Sequence, residues 1–408
     1  MGVFVAIFPS ETLVSTVSLW VLVFTVPAIA IFLSRLSKGP QRRPPVAPQR
    51  TTLNQLGKVS VVVPTLNEVE RVAPCLAGLS AQSYEVREIL IVDSNSTDGT
   101  RELVKNAANQ DPRLRLLTDD PLPQDWVGRP WALHNGFLSS SRESEWILGV
   151  DADTQPQPGL VAGLLATAQA EDYDLVSCSP QFILQYPGEW WLQPALLMTL
   201  LYRFDPAGTA NPQSDRVMAN GQCFFYKRSV LAALGGYESA KRSFCDDVTL
   251  ARYVASQGYR VGFLDGKKII KVRMYEGWRE TWQEWGRSLD LKDACSPAQL
   301  NNDLWVLLSA QALPLPLTLL GLGLMTLGYS SLPLLLLTSI NGVLIAIRWA
   351  LLFAIAPSYD WSQASPAAWL FWLSPLADPL AVYRIFLSAQ TQPQSWRGRD
   401  YGTVGSGS

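Results

Sequence analysis

Three apolar, β-branched segments each end in polar or acidic residues, and this pattern constrains the fold more than any other feature of the chain. They read VSVVVPTLNE from Val59, EILIVDSNSTDGT from Glu88 and WILGVDAD up to Asp153. Strands separated by helical patterns predict βαβ units and a mostly parallel α/β sheet. Because open α/β sheets bind ligands at the carboxyl ends of their strands, the polar ends predict a shared crevice.

The alternation of strand-like and helix-like segments extends from about residue 57 to residue 272. Strands are predicted at residues 59–63, 89–92, 114–117, 146–150, 175–179 and 223–226. No internal repeat is visible, so we expect one α/β domain rather than a repeat array.

Long apolar runs flank this region on both sides. Residues 13–33 are uncharged, and about 20 apolar residues suffice to cross a bilayer. Residues 304–327 and 332–356 are two further runs joined by a short turn, and Arg348 within the second would be costly if it faced lipid. Residues 367–387 are apolar but interrupted by prolines and charges. The chain therefore predicts three or four membrane spans, the last being a span, a re-entrant helix or a surface helix.

Basic residues follow the first apolar run at once, and the positive-inside rule then places the N-terminus outside and everything after Arg35 in the cytosol. We expect an integral membrane protein of a bacterial inner (plasma) or thylakoid membrane, with its α/β domain cytosolic. The predicted organisation is an N-terminal anchor (1–34), a basic, proline-rich linker (35–57), the α/β domain (58–272), an interfacial amphipathic region (273–300), a C-terminal apolar hairpin plus fourth segment (301–390) and a cytosolic tail (391–408).

Composition excludes several functional classes. A net charge of −2 and the lack of a basic, aromatic-interleaved strip argue against a nucleic-acid partner. The five cysteines include no C-x-x-C pair and are interpreted as free thiols in a reducing compartment. The single histidine, His134, cannot build a histidine metal site or a Ser-His-Asp triad.

Asp151 and Asp153 are the strongest candidates for metal and substrate binding by residue type. Asp153, in the loop that follows the strand, is the better ligand for Mg²⁺ or Mn²⁺, and Asp151, at the strand end, can face a sugar or ribose. Asp93 stands at another strand tip, where a carboxylate can accept hydrogen bonds from a base or ribose. The alternative is that these acids are ordinary turn and helix-cap residues.

Together with the Gly221–Gln222 pair and the CDDVTL motif at residues 245–250, these segments resemble the family 2 glycosyltransferases. The resemblance covers roughly residues 58–291 and implies a GT-A fold, a nucleoside-diphosphate-sugar donor and a divalent cation. It also implies that Asp247 is the base that deprotonates an acceptor hydroxyl in one inverting displacement. Asp246, where the family usually has Glu, is a second catalytic candidate, although an acidic pair would equally cap a helix.

The same resemblance implies a set of donor contacts. Arg129 replaces a family Lys and can bind a diphosphate bidentately, with an ordinary surface arginine as the alternative. The implied nucleotide-sugar contacts are Pro64, Glu68, Asp93, Arg129, Asp151 and Gln222, with Asp153 as the metal ligand.

Two aromatic stretches predict contact with a membrane. Trp278, Trp282 and Trp285 recur at helical spacing, which is typical of a helix at the membrane interface. We expect a lipophilic acceptor to enter the site from the cytosolic leaflet past these three residues. The resembled family has a site-closing element here, which Gln283, Trp285 and Arg287 match only approximately. Residues 190–204 predict a second interfacial helix near the acceptor entrance or, equally, a buried core helix.

Apolar flanks and interfacial aromatics predict a lipophilic alcohol as acceptor and membrane lipids as partners. The chain resembles bacterial and cyanobacterial carotenoid glycosyltransferases, in particular the 2′-O-glycosyltransferases of myxol-type carotenoids. The segments that carry this resemblance are 121–136, 243–250, 271–293, 374–384 and 396–399. Ceramide- or hopanoid-type lipid glycosyltransferases share much of the pattern. A polysaccharide synthase and a non-catalytic membrane protein that binds nucleotide sugars are the further alternatives.

Overall fold

The computed structural model describes residues 9–210, 213–285, 289, 291, 294–390, 395–396 and 399–400. The strands are β1 (Val59–Thr65), β2 (Val86–Asp93), β3 (Leu114–Thr118), β4 (Trp146–Gly149), β5 (Thr154–Pro156), β6 (Leu175–Ser179), β7 (Gln181–Phe182), β8 (Phe224–Lys227), β9 (Val261–Asp265), β10 (Ile270–Val272), β11 (Ser395–Trp396) and β12 (Arg399–Asp400). Seven of them form the central sheet, in the order β3-β2-β1-β4-β8-β6-β9.

The central sheet is mostly parallel, as predicted. Strands β3, β2, β1 and β4 run parallel to one another, and β6 pairs parallel with β9. Strand β8 runs antiparallel to both of its neighbours, β4 and β6. All six predicted strands are present in this sheet, and all of them except the edge strand β3 are almost entirely buried on both faces. A small sheet, β5-β10-β7, lies outside those predictions, since its strands have only two or three residues.

Helices cover both faces of the sheet and continue into the flanking segments. The α-helices are α1 (Glu11–Leu36), α2 (Val72–Ser80), α3 (Thr100–Ala108), α4 (Gly128–Ser139), α5 (Leu160–Ala170), α6 (Pro187–Arg203), α7 (Arg228–Ala233), α8 (Asp246–Ser256), α9 (Gly277–Glu280), α10 (Pro297–Leu307), α11 (Pro314–Thr326), α12 (Leu332–Ile355) and α13 (Asp378–Gln390). Helices α2, α3 and α5 pack on one face of the sheet, and α4, α7 and α8 pack on the other. Single π-helical turns span Thr281–Trp285 and Leu308–Ala312, and a 3₁₀ helix spans Pro366–Ala377.

The proline-rich linker lies along the sheet domain in an extended conformation. The Val46 N–H donates to the Asp265 carbonyl at the end of β9 (2.9 Å), and the Arg43 N–H donates to the Gly208 carbonyl (2.9 Å). These bonds tie the end of α1 to the edge of the sheet. The linker therefore fixes the apolar anchor relative to the α/β domain.

Within the described residues, three helical segments are long and apolar enough to cross a membrane. They are Glu11–Gln41, Leu332–Ser358 and Pro366–Gln390. The predicted run at 304–327 is not one straight helix, because Pro297–Ala312 and Pro314–Thr326 meet at a 46° bend. Pro314 at the junction explains the bend, since proline removes a helical hydrogen bond. Counting that pair as one span gives four.

The charge within the third apolar run does not face lipid. Arg348 of α12 is 3% exposed and forms an ion pair with Asp378 of α13 (2.7 Å). Gln311, in the π-helical turn after α10, donates to Asp378 (3.1 Å) and to the Ala195 carbonyl of α6 (2.9 Å). Intramembrane charges occur where such partners exist. This buried network joins three apolar helices to α6.

Helix α6 is buried, so the prediction of an interfacial helix at residues 190–204 is wrong and the buried-helix alternative is correct. Trp190 and Tyr202 are almost fully buried. The Tyr202 ring stacks on Phe32 of α1 with ring centroids 4.2 Å apart. A helix that is apolar on nearly all sides is stable only when other apolar elements surround it. The flanking helices provide this environment, which the sequence of α6 alone does not reveal.

Candidate active site

A cavity of about 820 Å³ lies where β1 and β4 end and where α4 and α8 begin. Ten of the predicted site residues line it: Pro64, Glu68, Arg129, Asp151, Asp153, Gln222, Asp246, Asp247, Gln283 and Trp285. The volume is within the range of ordinary ligand sites. The crevice predicted from the strand ends therefore exists. Helix α8, which is not part of the three strand-end motifs, also contributes residues to it.

Asp247 is held in a fixed orientation at the start of α8. The Gly221 N–H donates to one carboxylate oxygen (2.6 Å), and the Val248 N–H donates to the other (2.9 Å). Its side chain is half-buried and lines the cavity. Burial raises the pKa of the Asp247 carboxyl above its usual range, although Arg129 and the two backbone amides act in the opposite direction. Such a carboxylate is positioned to accept a proton.

Asp246 has a different role from its neighbour. It forms an ion pair with Arg129, which also binds Asp151 through two nitrogens at 3.0 and 2.8 Å. Burial would lower the pKa of Arg129, but the surrounding carboxylates, Asp151 first among them, hold it well above its ordinary value. Arg129 is thus a permanently charged bridge between the end of β4 and the start of α8.

Gly221 makes the close packing around Arg129 possible. Its carbonyl accepts a hydrogen bond from the guanidinium (3.0 Å). A Cβ at this position would lie 2.3 Å from the same nitrogen of Arg129. Gly221 therefore binds Arg129 through its carbonyl and Asp247 through its N–H, and a larger residue at this position would clash with Arg129.

Asp93 does not line the cavity. Its carboxylate is fully buried and accepts hydrogen bonds from the Ser96 N–H (3.0 Å) and the Thr65 hydroxyl (3.2 Å). It orders the loop after β2, whose Ser94 does reach the cavity. A direct contact between Asp93 and a nucleotide remains a prediction from the sequence.

The cavity is strongly acidic. Ten carboxylates but only three arginines line it among the described residues. Among the described residues, no group of three or more His, Cys, Asp or Glu side chains could hold a metal ion alone. A divalent ion at Asp153 would therefore share its coordination with ligand phosphates, which is the usual environment of Mg²⁺.

The tryptophan segment differs from the predicted single membrane-facing stripe. Trp278 is 56% exposed, whereas Trp285 is 4% exposed and packs against Phe182 (ring centroids 5.6 Å apart). Trp282 lies under the Arg384 guanidinium, 5.9 Å from its ring centroid. The rings of Trp278 and Trp282 remain neighbours, with centroids 6.3 Å apart. The π-helical turn changes the helical phase, so Trp285 does not share their face. Only Trp285 lines the cavity, and Arg287 lies outside the described residues.

The sequence placed residues 190–204 near the acceptor entrance but did not identify which residues form the apolar half of the cavity. Leu197, Leu200, Leu201 and Phe204 line it from α6, and Ala354 and Ile355 line it from the end of α12. The signal for the α6 residues was their spacing of i, i+3, i+4 and i+7, which marks one helix face. Nothing in the sequence indicates that the end of α12 reaches the same cavity.

Comparisons with known proteins agree with this geometry. Residues 60–235 match the model of glycosyl transferase family 2. The uncharacterized glycosyltransferase YibD of Escherichia coli is 28% identical over 139 residues, which are 34% of this chain and 38% of YibD. The 4,4′-diaponeurosporenoate glycosyltransferase of Staphylococcus haemolyticus is 24% identical over 234 residues, which are 57% of this chain and 60% of that protein. The chain thus spans less than two thirds of either relative.

The fold is also similar to that of a solved structure. The mannosyltransferase PcManGT of Pyrobaculum calidifontis, determined with GDP-Man and Mn²⁺, superposes with a TM-score of 0.53 at 19% identity. The match covers 91% of this chain and 98% of PcManGT. It extends across the GT-A-like sheet domain and into the flanking helices. Residues 60–235 therefore match glycosyl transferase family 2, and the chain has a GT-A-like fold.

Proposed function

We propose that the protein is a membrane-bound inverting glycosyltransferase that moves a sugar from a nucleoside-diphosphate donor to a hydroxyl group of a lipophilic acceptor. The observation that carries this proposal is the single cavity in which Asp247 and Asp153 lie together with leucines of α6 and the end of α12. An acidic, polar half suits the donor and its cation. An apolar half suits an acceptor dissolved in the bilayer.

The reaction follows from the position of Asp247. Its carboxylate takes the proton of the acceptor hydroxyl while the acceptor oxygen forms a bond to the anomeric carbon of the sugar. The bond from that carbon to the diphosphate oxygen breaks, and the nucleoside diphosphate leaves with the electron pair. Arg129 stabilises the ionised form of Asp247 and holds Asp151 and Asp246 in place.

We assign donor binding to the polar half, with Asp153 holding a divalent cation against the diphosphate. Such a cation, when bound, neutralises charge on the leaving group. Carboxylates outnumber arginines along this cavity, so a dianionic ligand would be repelled without added positive charge. The Mn²⁺ and GDP-Man bound by PcManGT are consistent with this assignment.

Removing Asp153 is expected to abolish the metal dependence of donor binding. In Asp153→Ala, affinity for UDP or GDP with Mn²⁺ should fall by roughly 100-fold, because metal charge stabilisation is worth several kcal/mol. Isothermal titration of both nucleotides, with Mn²⁺ and with EDTA, measures this effect. Chelation should weaken binding to the wild type and leave the variant unchanged. Equal affinity in all four conditions would show that Asp153 holds no metal.

Within this class we favour a hydroxylated carotenoid of the myxol type as the acceptor. The Staphylococcus haemolyticus relative glycosylates a carotenoid acid, 4,4′-diaponeurosporenoate. Mass spectrometry of pigments and lipids from cells with and without the gene tests this choice. Loss of a carotenoid glycoside supports it. Loss of a glycosylated sphingolipid or hopanoid instead would keep the reaction and replace the acceptor, and loss of a polysaccharide would indicate a synthase.

Membrane orientation is a separate prediction. Arg35, Lys38, Arg42 and Arg43 follow the first apolar run, so reporter fusions after Leu56 and after Leu291 should both report the cytosol. Nucleotide sugars are cytosolic, and the domain must meet them there. A fusion after Ser10 should report the opposite side. An external signal at Leu56 would contradict the orientation.

A further inference from the structure

The cavity contains a stripe of leucines that the reaction chemistry leaves unused. Leu197, Leu200 and Leu201 lie on one face of α6 and are half-buried, although neighbouring α6 residues are fully buried. Their uncovered surface faces the cavity that contains Asp247. Apolar surface left in a closed site is favourable only when an apolar ligand covers it.

The stripe leads towards the apolar helices. Ala354 and Ile355, in the last turn of α12, line the same cavity. Helix α12 is one of the segments that can cross a membrane. The cavity therefore joins the start of α8, where Asp247 lies, to the end of a bilayer-spanning helix.

The other two tryptophans of this segment offer no comparable route. Trp278 and Trp282 do not line the cavity among the described residues. Trp282 is covered by Arg384, which also donates to the Trp282 carbonyl (2.6 Å). An acceptor that passed the Trp282 ring would have to displace that contact.

We propose that the hydrocarbon part of the acceptor lies on the leucine stripe of α6 and reaches it from the bilayer past the end of α12, in the part of the cavity that Trp285 also lines. This inference rests on the proposed function and adds its specificity residues. Leu197, Leu201 and Ala354 are not chemically reactive, and they select for a long, narrow apolar chain whose hydroxyl end reaches Asp247.

 Of these positions, Ala354 has the smallest side chain, so added bulk there narrows the route most directly.

The test places a tryptophan in the route. Ala354→Trp, and separately Leu201→Trp, should lower kcat/KM for a C40 hydroxycarotenoid by roughly 10- to 100-fold, because bulk forced into an occupied site lowers affinity. The KM for the sugar donor should stay within about twofold, since the donor half of the cavity is unchanged. Val343→Trp is the matched control, because it adds the same ring to the exposed side of α12 (Val343 is 59% exposed).

The outcomes separate this inference from the function on which it rests. Carotenoid kinetics equal to those of Val343→Trp in both route variants would overturn the inference and leave the proposed reaction intact. An equal loss for donor and acceptor would also overturn it. No transfer to the carotenoid by the wild-type protein would overturn the carotenoid acceptor and the inference together. Unfolding midpoints of all variants, measured in the same detergent, identify a variant that fails to fold, and the other route variant then decides the question.

Discussion

Replacing Asp247 by Asn is expected to lower the rate of glycosyl transfer by about 10²–10⁴-fold, the usual contribution of a positioned acid–base group. The amide keeps the size of the carboxylate but cannot take the proton of the acceptor hydroxyl. Donor affinity should remain close to that of the wild type, because the donor is assigned to Asp153 and its cation. Transfer assays with a labelled donor and titration of the nucleotide measure the two effects.

A matched acid in the same cavity provides the control for Asp247. Asp205 also lines the cavity, but it pairs with the exposed Lys38 (2.9 Å). Asp205→Asn should therefore transfer at nearly the wild-type rate. Burial raises the pKa of the Asp247 carboxyl above its ordinary value. In the wild type, kcat/KM should therefore fall on the acid side at a pH above about 4, where an exposed aspartate titrates. Near-normal turnover by Asp247→Asn would refute its assignment as the base.

Breaking the buried ion pair between α12 and α13 is expected to have the largest effect on stability. Arg348→Met leaves the Asp378 carboxylate buried without its cation, and removing one partner of a buried pair costs about 3–5 kcal/mol. That loss is a large share of the stability of a typical protein. The yield of monodisperse protein in mild detergent and its unfolding midpoint measure the effect.

The double variant Arg348→Met/Asp378→Leu tests whether the loss comes from the unpaired charge. Replacing a whole buried pair by apolar residues is often neutral, so the double variant should recover most of the lost stability. Gln311 keeps its bond to the Ala195 carbonyl in both variants, which preserves the connection to α6. If the double variant is as unstable as Arg348→Met, the ion pair is not the cause.

The carboxyl-end crevice and the strands that form it were predictable because their signals are local. A run such as residues 59–63 consists of β-branched valines apart from Ser60 and is buried on both faces of the sheet. Polar residues directly after such strands must then lie at one edge of a parallel sheet. Asp151 and Asp153 were placed in the cavity by this reasoning alone, and Asp247 by the resemblance of its motif.

The roles within the acidic pair needed the tertiary structure. Asp246 and Asp247 are adjacent in sequence and identical in chemistry, so their local sequence does not distinguish them. Their difference comes from Arg129 and Gly221, which approach from other parts of the chain. For Asp93, the position at the end of β2 was predictable from the sequence. Its burial beneath the following loop was not.

The sequence by itself determined the α/β sheet, the apolar flanks and the acids at the strand ends, because periodicity and composition are properties of short segments. Only the tertiary structure decided that α6 is buried, that Trp278, Trp282 and Trp285 do not share a face, and that Arg348 pairs with Asp378. It also decided that the end of α12 lines the cavity of Asp247. Each of these depends on contacts between segments far apart in the chain, and no local pattern encodes which distant surface a side chain will meet.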